Sequence, residues 1–219
     1  MSKTTGILIS DFDGTLTRYD FFELVRRRWP FPPEDDPWEK FLEGQITHFE
    51  ALAEIFARIR TTEADLLALA DSMELDSSFA ESARALQSRG WEVVIASAGC
   101  DWYIQFLLHK VGASVSLHAN PGVFDSKKGL QMVLPERSRF FSPTTGVNKV
   151  EIVRDALNRS DRVAFAGDGR PDIEPALLVK PELRFARGWL AAAFRERGEK
   201  FHLFERWSQI AVQVQNDEC

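Results

Sequence analysis

The chain has 219 residues, long for a minimal domain and short for two full ones, which favours one core domain carrying a smaller insertion. Hydrophobic residues make up 44% and charged residues 27%, an ordinary balance for a soluble globular protein. The net charge of −6 excludes a global attraction to nucleic acid or anionic lipid, so positive potential for a phosphorylated partner has to be built locally.

In chain order, Ile7-Leu8-Ile9 reads as a short buried parallel strand ending at Ser10-Asp11. It is too short, and too soon charged, for a signal peptide. The character changes over residues 17–76. Trp29-Pro30-Phe31-Pro32-Pro33 breaks any helix, and residues 38–44 form a short amphipathic piece. Phe49, Leu52, Ile55, Phe56 and Ile59 fall at helical spacing. Thr62 with Asp65 resembles a helix start ahead of Leu66, Leu67 and Leu69. No strand is convincing there, so the stretch reads as a helical insertion.

Residues 79–89 form a helix closed by Gly90, and 91–97 are the next buried strand. Residues 101–111 are amphipathic and stop at Gly112; a strand over 114–119 stops at Asn120-Pro121-Gly122; 130–134 read as part of a hairpin. A helix over 148–158 carries Val150, Val153, Ala156 and Leu157 on one face. A strand over 162–166 leads into Gly167-Asp168-Gly169, and 183–186 and 200–204 are weaker strand candidates. Strand and helix alternate, which argues for an α/β fold with a parallel sheet and helices on both faces. Cys100 and the terminal Cys219 make no disulfide framework, and Cys219 is expected to fray. No stretch approaches the roughly 20 apolar residues of a membrane helix. A cytoplasmic protein is expected, with no nucleic-acid or membrane partner; the sequence leaves its oligomeric state open.

Ligands of open parallel sheets bind beyond the carboxyl ends of the strands. Three of the expected strands end in unusual polar residues: Asp11-Phe12-Asp13-Gly14-Thr15, Ser97-Ala98-Gly99 and Gly167-Asp168-Gly169-Arg170-Pro171-Asp172. If these strands are neighbours, four carboxylates and a hydroxyl converge. Close like charges raise carboxylate pKa values, and a hard divalent ion with oxygen ligands relieves them. Magnesium is favoured, because it takes few carboxylates and fills its shell with water and substrate phosphate.

The strings Asp11–Thr17, Ser97 after an apolar strand, Lys149 opening a helix and Gly167–Asp172 resemble, in order and spacing, the four motifs of the haloacid dehalogenase superfamily. The resemblance covers nearly the whole chain. It implies a Rossmann-like core over 1–16 and 77–219 with an inserted helical cap over 17–76, the cap type of phosphoserine phosphatase. Ser97–Ile104, Asn120–Phe124 and Ala166–Asp172 bring the likeness nearer to the branch that acts in methionine salvage on 2-hydroxy-3-keto-5-methylthiopentenyl-1-phosphate. The implied activity is magnesium-dependent hydrolysis of a small phosphorylated metabolite through an aspartyl phosphate. Asp11 would be the nucleophile, and Asp13 would protonate the leaving group and then activate water. Ser97, the backbone of Ala98 and Gly99, and Lys149 would hold the phosphoryl group. Asp11, Asp168, the Asp13 carbonyl and, through water, Asp172 would hold the metal. Asp172 would also orient Lys149. Gly14 would let the chain turn away into the cap. Pro171 departs from the Asn frequent at its position, which puts that residue's outer contact in doubt.

Plainer readings compete at several positions. Lys127 and Lys128 are rivals to Lys149. Cys100 reads as a packing residue. His48, His109, His118 and His202 lack ligand spacing and read as structural or surface residues. Arg26-Arg27-Arg28 reads as a solvated helix face that could instead recruit an anionic substrate. Trp29, Phe31 and Trp38 read as the cap's own core or an aromatic lid. Asp20 and Phe21 are candidate cap contacts to substrate. Where phosphoserine phosphatases place a carboxylate-binding arginine this chain has Phe56, with Arg58 and Arg60 out of step. Alternatives to a metabolite phosphatase are a phosphoserine phosphatase, a phosphotransferase, or a catalytically silent binding protein of the same fold. The filled catalytic positions count against the last.

Overall fold

The computed structural model describes residues 5–216; Cys219 lies outside them. Strand β1 (Gly6–Ser10) is followed by α1 (Phe21–Arg28), α2 (Pro37–Leu42), α3 (His48–Ala57), α4 (Glu63–Asp71) and α5 (Phe79–Ser88). Then come β2 (Trp91–Cys100), α6 (Asp101–Lys110), β3 (Ser116–Asn120), β4 (Gly122–Asp125), β5 (Gly129–Met132), β6 (Phe141–Ser142) and β7 (Gly146–Val147). The chain closes with α7 (Lys149–Arg159), β8 (Val163–Gly167), α8 (Ile173–Leu178), β9 (Arg184–Ala186), α9 (Gly188–Arg197), β10 (His202–Leu203) and α10 (Trp207–Asn216).

Six strands form one parallel sheet in the order β10-β9-β8-β1-β2-β3. The chain order reverses at β1, which puts the polar ends of β1, β2 and β8 side by side. β1 is apolar throughout because both its faces are covered. Leu8 packs into the α5, α6 and α10 layer with Phe79, Ile104 and Trp207; Ile7 and Ile9 pack against Ile152, Val153 and Phe194 of α7 and α9.

The stretch between β1 and α5 is helical, apart from one antiparallel bridge joining Thr17 to Leu75. The Asp76 N–H donates to the Leu16 carbonyl at 2.9 Å, so the outgoing and returning connections run side by side. Local chemistry starts these helices. Asp36 caps α2 ahead of Pro37, Thr47 and Glu50 form a capping box on α3, and Thr62 accepts the Asp65 N–H to open α4.

The expected strands are all present, with shifted bounds. β2 runs on to Cys100 rather than ending at 97. In α7 the buried face is Lys149, Ile152, Val153 and Ala156, while Leu157 is exposed. Residues 130–134 do hairpin: β5 pairs antiparallel with β4, which the reading of 120–122 as a stop had passed over. The small β6–β7 hairpin, α9 and α10 carried no sequence expectation.

Candidate functional site

Asp11 follows β1 directly, and its N–H donates to the Ala166 carbonyl at 2.9 Å, extending the pairing with β8. Phe12 turns into the core, fully buried, and leaves Asp11 and Asp13 to reach the cavity beyond the sheet edge. Lys149, the first residue of α7, is 5% exposed. Its Nζ donates at 2.6 Å to Asp11 Oδ1 and at 2.6 Å to Asp172 Oδ1. Asp172 in turn accepts the N–H groups of Asp168 and Gly169 at 3.1 and 3.0 Å. Thr15 donates to Asp168 at 2.9 Å. Gly14 sits at φ +66°, and a Cβ there would lie 2.3 Å from an Asp168 oxygen, so the turn after the first motif admits only glycine.

Asp11, Asp168 and Asp172 each bring a carboxylate oxygen within 4.8 Å of the others. Burial pushes Asp11 up to about 7; Lys149 opposes the rise, and Asp172 and Asp13 add to it. Burial, then repulsion from Asp20, Asp11 and Asp172, holds Asp168 well above the usual carboxylate range. Burial works to lower Lys149, but Asp11 and Asp172 outweigh it and keep the amine protonated. Three enclosed carboxylates against one ammonium leave an excess of negative charge on oxygen donors, which fits a hard dication. Lys127 and Lys128 do not line the cavity.

Asp13 has different partners. Both its oxygens accept the Tyr103 hydroxyl, at 2.9 and 2.8 Å; Oδ1 accepts the Phe21 N–H at 3.2 Å, and Ser97 Oγ lies 3.4 Å from Oδ2. Its carboxyl is thus held apart from the three-carboxylate group. Ser97, Ala98 and Gly99 line the cavity. The Gly99 N–H donates to Ser97 Oγ at 2.9 Å, which ties the loop to the serine it follows. A Cβ at Gly99 would meet the Tyr103 oxygen at 2.0 Å. Asn120 braces this loop, donating to the Ala98 carbonyl at 2.8 Å.

Tyr103 is the functional candidate that motif reading missed. It lies inside the string Ser97–Ile104, and a buried tyrosine hydroxyl needs a polar partner, which was the available signal.

Over these groups stands a cavity of about 440 Å³. Its roof comes from α1 and the turn before it (Asp20, Phe22, Glu23), α2 (Trp38, Leu42) and α3 (His48, Leu52, Phe56). Phe22 stacks on Trp38 at 4.1 Å. Asp20 faces the cavity, and burial, then repulsion from Asp13 and Asp11, pushes it up to about 8. Phe21 does not face it: its ring is fully buried and stacked on Tyr103 at 4.2 Å, so only its N–H serves the site. Arg26 pairs with Asp36 and Glu39, and Arg27 with the roof's Glu23, but neither arginine lines the cavity. Arg58 lies over the Phe31 ring at 4.2 Å, and Arg60 donates to the Ala57 and Ile59 carbonyls. Neither reaches the cavity, and Phe56 does. Trp38 is a wall of the cavity, while Trp29 and Phe31 pack against the core. Cys100 is buried, its thiol pushed up to about 12 by burial, as a packing residue should be. His48 is neither plainly structural nor on the outer surface: it lines the cavity.

Residues 8–177 match the model of the haloacid dehalogenase-like hydrolases. The 2-hydroxy-3-keto-5-methylthiopentenyl-1-phosphate phosphatase of Bacillus velezensis is 22% identical, the match covering 97% of this chain and 91% of that one. The enzyme of that name from Exiguobacterium is 22% identical over 94% of this chain and 95% of its own. A hydrolase of the same family from Salmonella enterica serovar Typhi superposes with a TM-score of 0.73 at 18% identity, covering 98% of this chain and 72% of that one. Phosphoserine phosphatase from T. onnurineus gives a TM-score of 0.65 at 17% identity, covering 99% and 98%. These two share the fold. No helix among the described residues is long and apolar enough to cross a membrane.

Proposed function

The chain belongs to the haloacid dehalogenase-like hydrolases, and from that membership we propose that it hydrolyses a small phosphomonoester through an aspartyl phosphate on Asp11. The observation that carries the reading is the separate tethering of two carboxylates only two residues apart. Lys149 donates to Asp11 and favours its anionic form against burial, and Tyr103 holds the Asp13 carboxyl aside, free to carry a proton.

Asp11 attacks phosphorus, and the P–O bond to the alcohol breaks. Asp13 gives its proton to the departing oxygen, then takes one from the water that attacks the aspartyl phosphate; phosphate leaves and Asp11 is regenerated. Lys149 and Ser97 stabilise charge on the transferring group. Asp11, Asp168 and Asp172 would hold magnesium, which supplies the remaining positive charge. Residues 17–76 act as a cap whose helices exclude bulk water during transfer, with the adjoining connections at Thr17 and Leu75 as its stem.

For the substrate we favour a phosphate ester with an apolar tail, of the kind named for the Bacillus and Exiguobacterium relatives. The roof helices offer aromatic, aliphatic and acidic side chains with one histidine and no lysine or arginine; the arginine that does line the cavity, Arg170, lies on another wall, over the Trp189 ring. Under the roof itself a phosphoserine carboxylate would meet acidic groups and no cation. The test is phosphate release across a panel of phosphorylated metabolites, with and without chelator. Release should stop with chelator, return with magnesium, and favour tailed esters over phosphoserine. Full turnover of a metal-free preparation would overturn the mechanism, and rapid attack on a folded phosphoprotein would overturn the closing cap.

A further inference from the structure

His48 opens α3, immediately after its cap residue Thr47, and its ring is clamped by T-shaped contacts with Trp38 at 5.7 Å and Phe41 at 5.2 Å. The imidazole lines the same cavity as the carboxylates and Lys149. Its Nδ1 is enclosed and meets no hydrogen-bond partner. A proton on that nitrogen would be a buried, unsatisfied donor, which is costly, so the proton sits on Nε2. Nε2 is not enclosed in this way, so it is the ring nitrogen left to meet a ligand. Burial, and after it Lys149, pushes the imidazole down to about 4, so at neutral pH it is uncharged and cannot serve as an extra anion clamp. The other roof side chains are aromatic, aliphatic or acidic.

We propose that His48 is a specificity-determining residue whose Nε2–H donates a hydrogen bond to a neutral oxygen, a carbonyl, enol or hydroxyl, on the carbon chain of the substrate. The assignment rests on the phosphatase reading above and deepens it. A neutral donor in an otherwise apolar and acidic roof rewards an oxygenated chain without rewarding a second anionic group. A tail lacking that oxygen leaves the donor unpaired over apolar groups, and the lost hydrogen bond discriminates against it.

The experiment compares 2-oxopropyl phosphate with propyl phosphate, which differ by one carbonyl oxygen, in the magnesium-loaded wild type, His48→Met and His48→Gln. Circular dichroism and thermal midpoints verify folding. The quantity read is the ratio of kcat/KM between the two esters. In the wild type the oxo ester should be preferred; in His48→Met the ratio should fall about tenfold. His48→Gln, which returns an N–H at similar reach, should recover part of it. A ratio unchanged in His48→Met, or lost equally in His48→Gln and His48→Met, overturns the role of His48 while leaving the phosphatase reading intact. No phosphate release from either ester, nor from p-nitrophenyl phosphate, by the wild type overturns the phosphatase reading itself.

Discussion

The floor of the cavity is held by hydrogen bonds and its roof by ring packing. On the floor each side chain answers to a named neighbour: Lys149 to Asp11 and Asp172, Asp168 to Thr15, Asp13 to Tyr103. In the roof, Phe22 lies flat on Trp38, and Trp38 meets Phe41 and His48 at wider angles. Hydrogen bonds fix residue identity, because few side chains can replace a donor at 2.6 Å; apolar contacts fix only volume and shape. A floor of this kind suits one chemistry, and a roof of this kind can be refitted to many substrates.

The contrast fails if substitutions in the floor prove as mild as those in the roof. Asp11→Asn should cost the most, about 10⁴-fold or more in turnover, because the reaction loses its nucleophile. Asp13→Asn should instead let a phosphoenzyme accumulate with an activated aryl phosphate. Acid quenching and mapping of the labelled peptide checks both, and a label on Asp13 in the Asp11 variant would reverse the roles. Lys149→Met should lower kcat by about 10²–10³-fold, since it removes the one ammonium between two buried carboxylates. Steady-state kinetics with p-nitrophenyl phosphate measures it.

The same contrast decides what could be read from the sequence. That Asp11, Asp13, Ser97, Lys149, Asp168 and Asp172 share one cavity was legible because polar residues at the ends of apolar strands stand out, and the parallel sheet follows from alternating apolar runs. Tyr103 was hidden because its partner Asp13 lies 90 positions away and a tyrosine in an amphipathic helix reads as packing. Phe21 misled for the complementary reason: its backbone serves the site and its ring serves the core. The hairpins β4–β5 and β6–β7 were hard to read because short strands show little periodicity, yet the Phe49 N–H in the roof donates to Thr144 between β6 and β7 at 2.9 Å.

Tyr103→Phe sharpens the comparison, since the ring stays in the roof packing and only the floor contact is lost. Without the hydroxyl, Asp13 keeps the Phe21 N–H and the distant Ser97 but is less firmly aimed. Turnover of an alkyl phosphate should fall about tenfold, and that of p-nitrophenyl phosphate less, because its leaving group needs no proton. Equal losses on both esters would mean the hydroxyl serves packing rather than proton transfer.

The smallest effect is expected where roof and floor meet, at Asp20. Its carboxyl is raised to about 8, chiefly by burial and then by Asp13 and Asp11, from an ordinary value of 3.8. Below pH 3.8 the group is protonated in both folded and unfolded chains and contributes nothing. Between 3.8 and about 8 the unfolded chain has released the proton while the folded chain retains it, so stability falls as pH rises across that window. Asp20→Asn removes this penalty. In metal-free protein the variant should match the wild type near pH 4 and melt about 2–4 °C higher near pH 8. Thermal midpoints at the two pH values check it. A variant less stable at pH 8 would show that Asp20 is ionised and favourably paired in the folded state, and the boundary between roof and floor would then be a polar contact rather than a strained one.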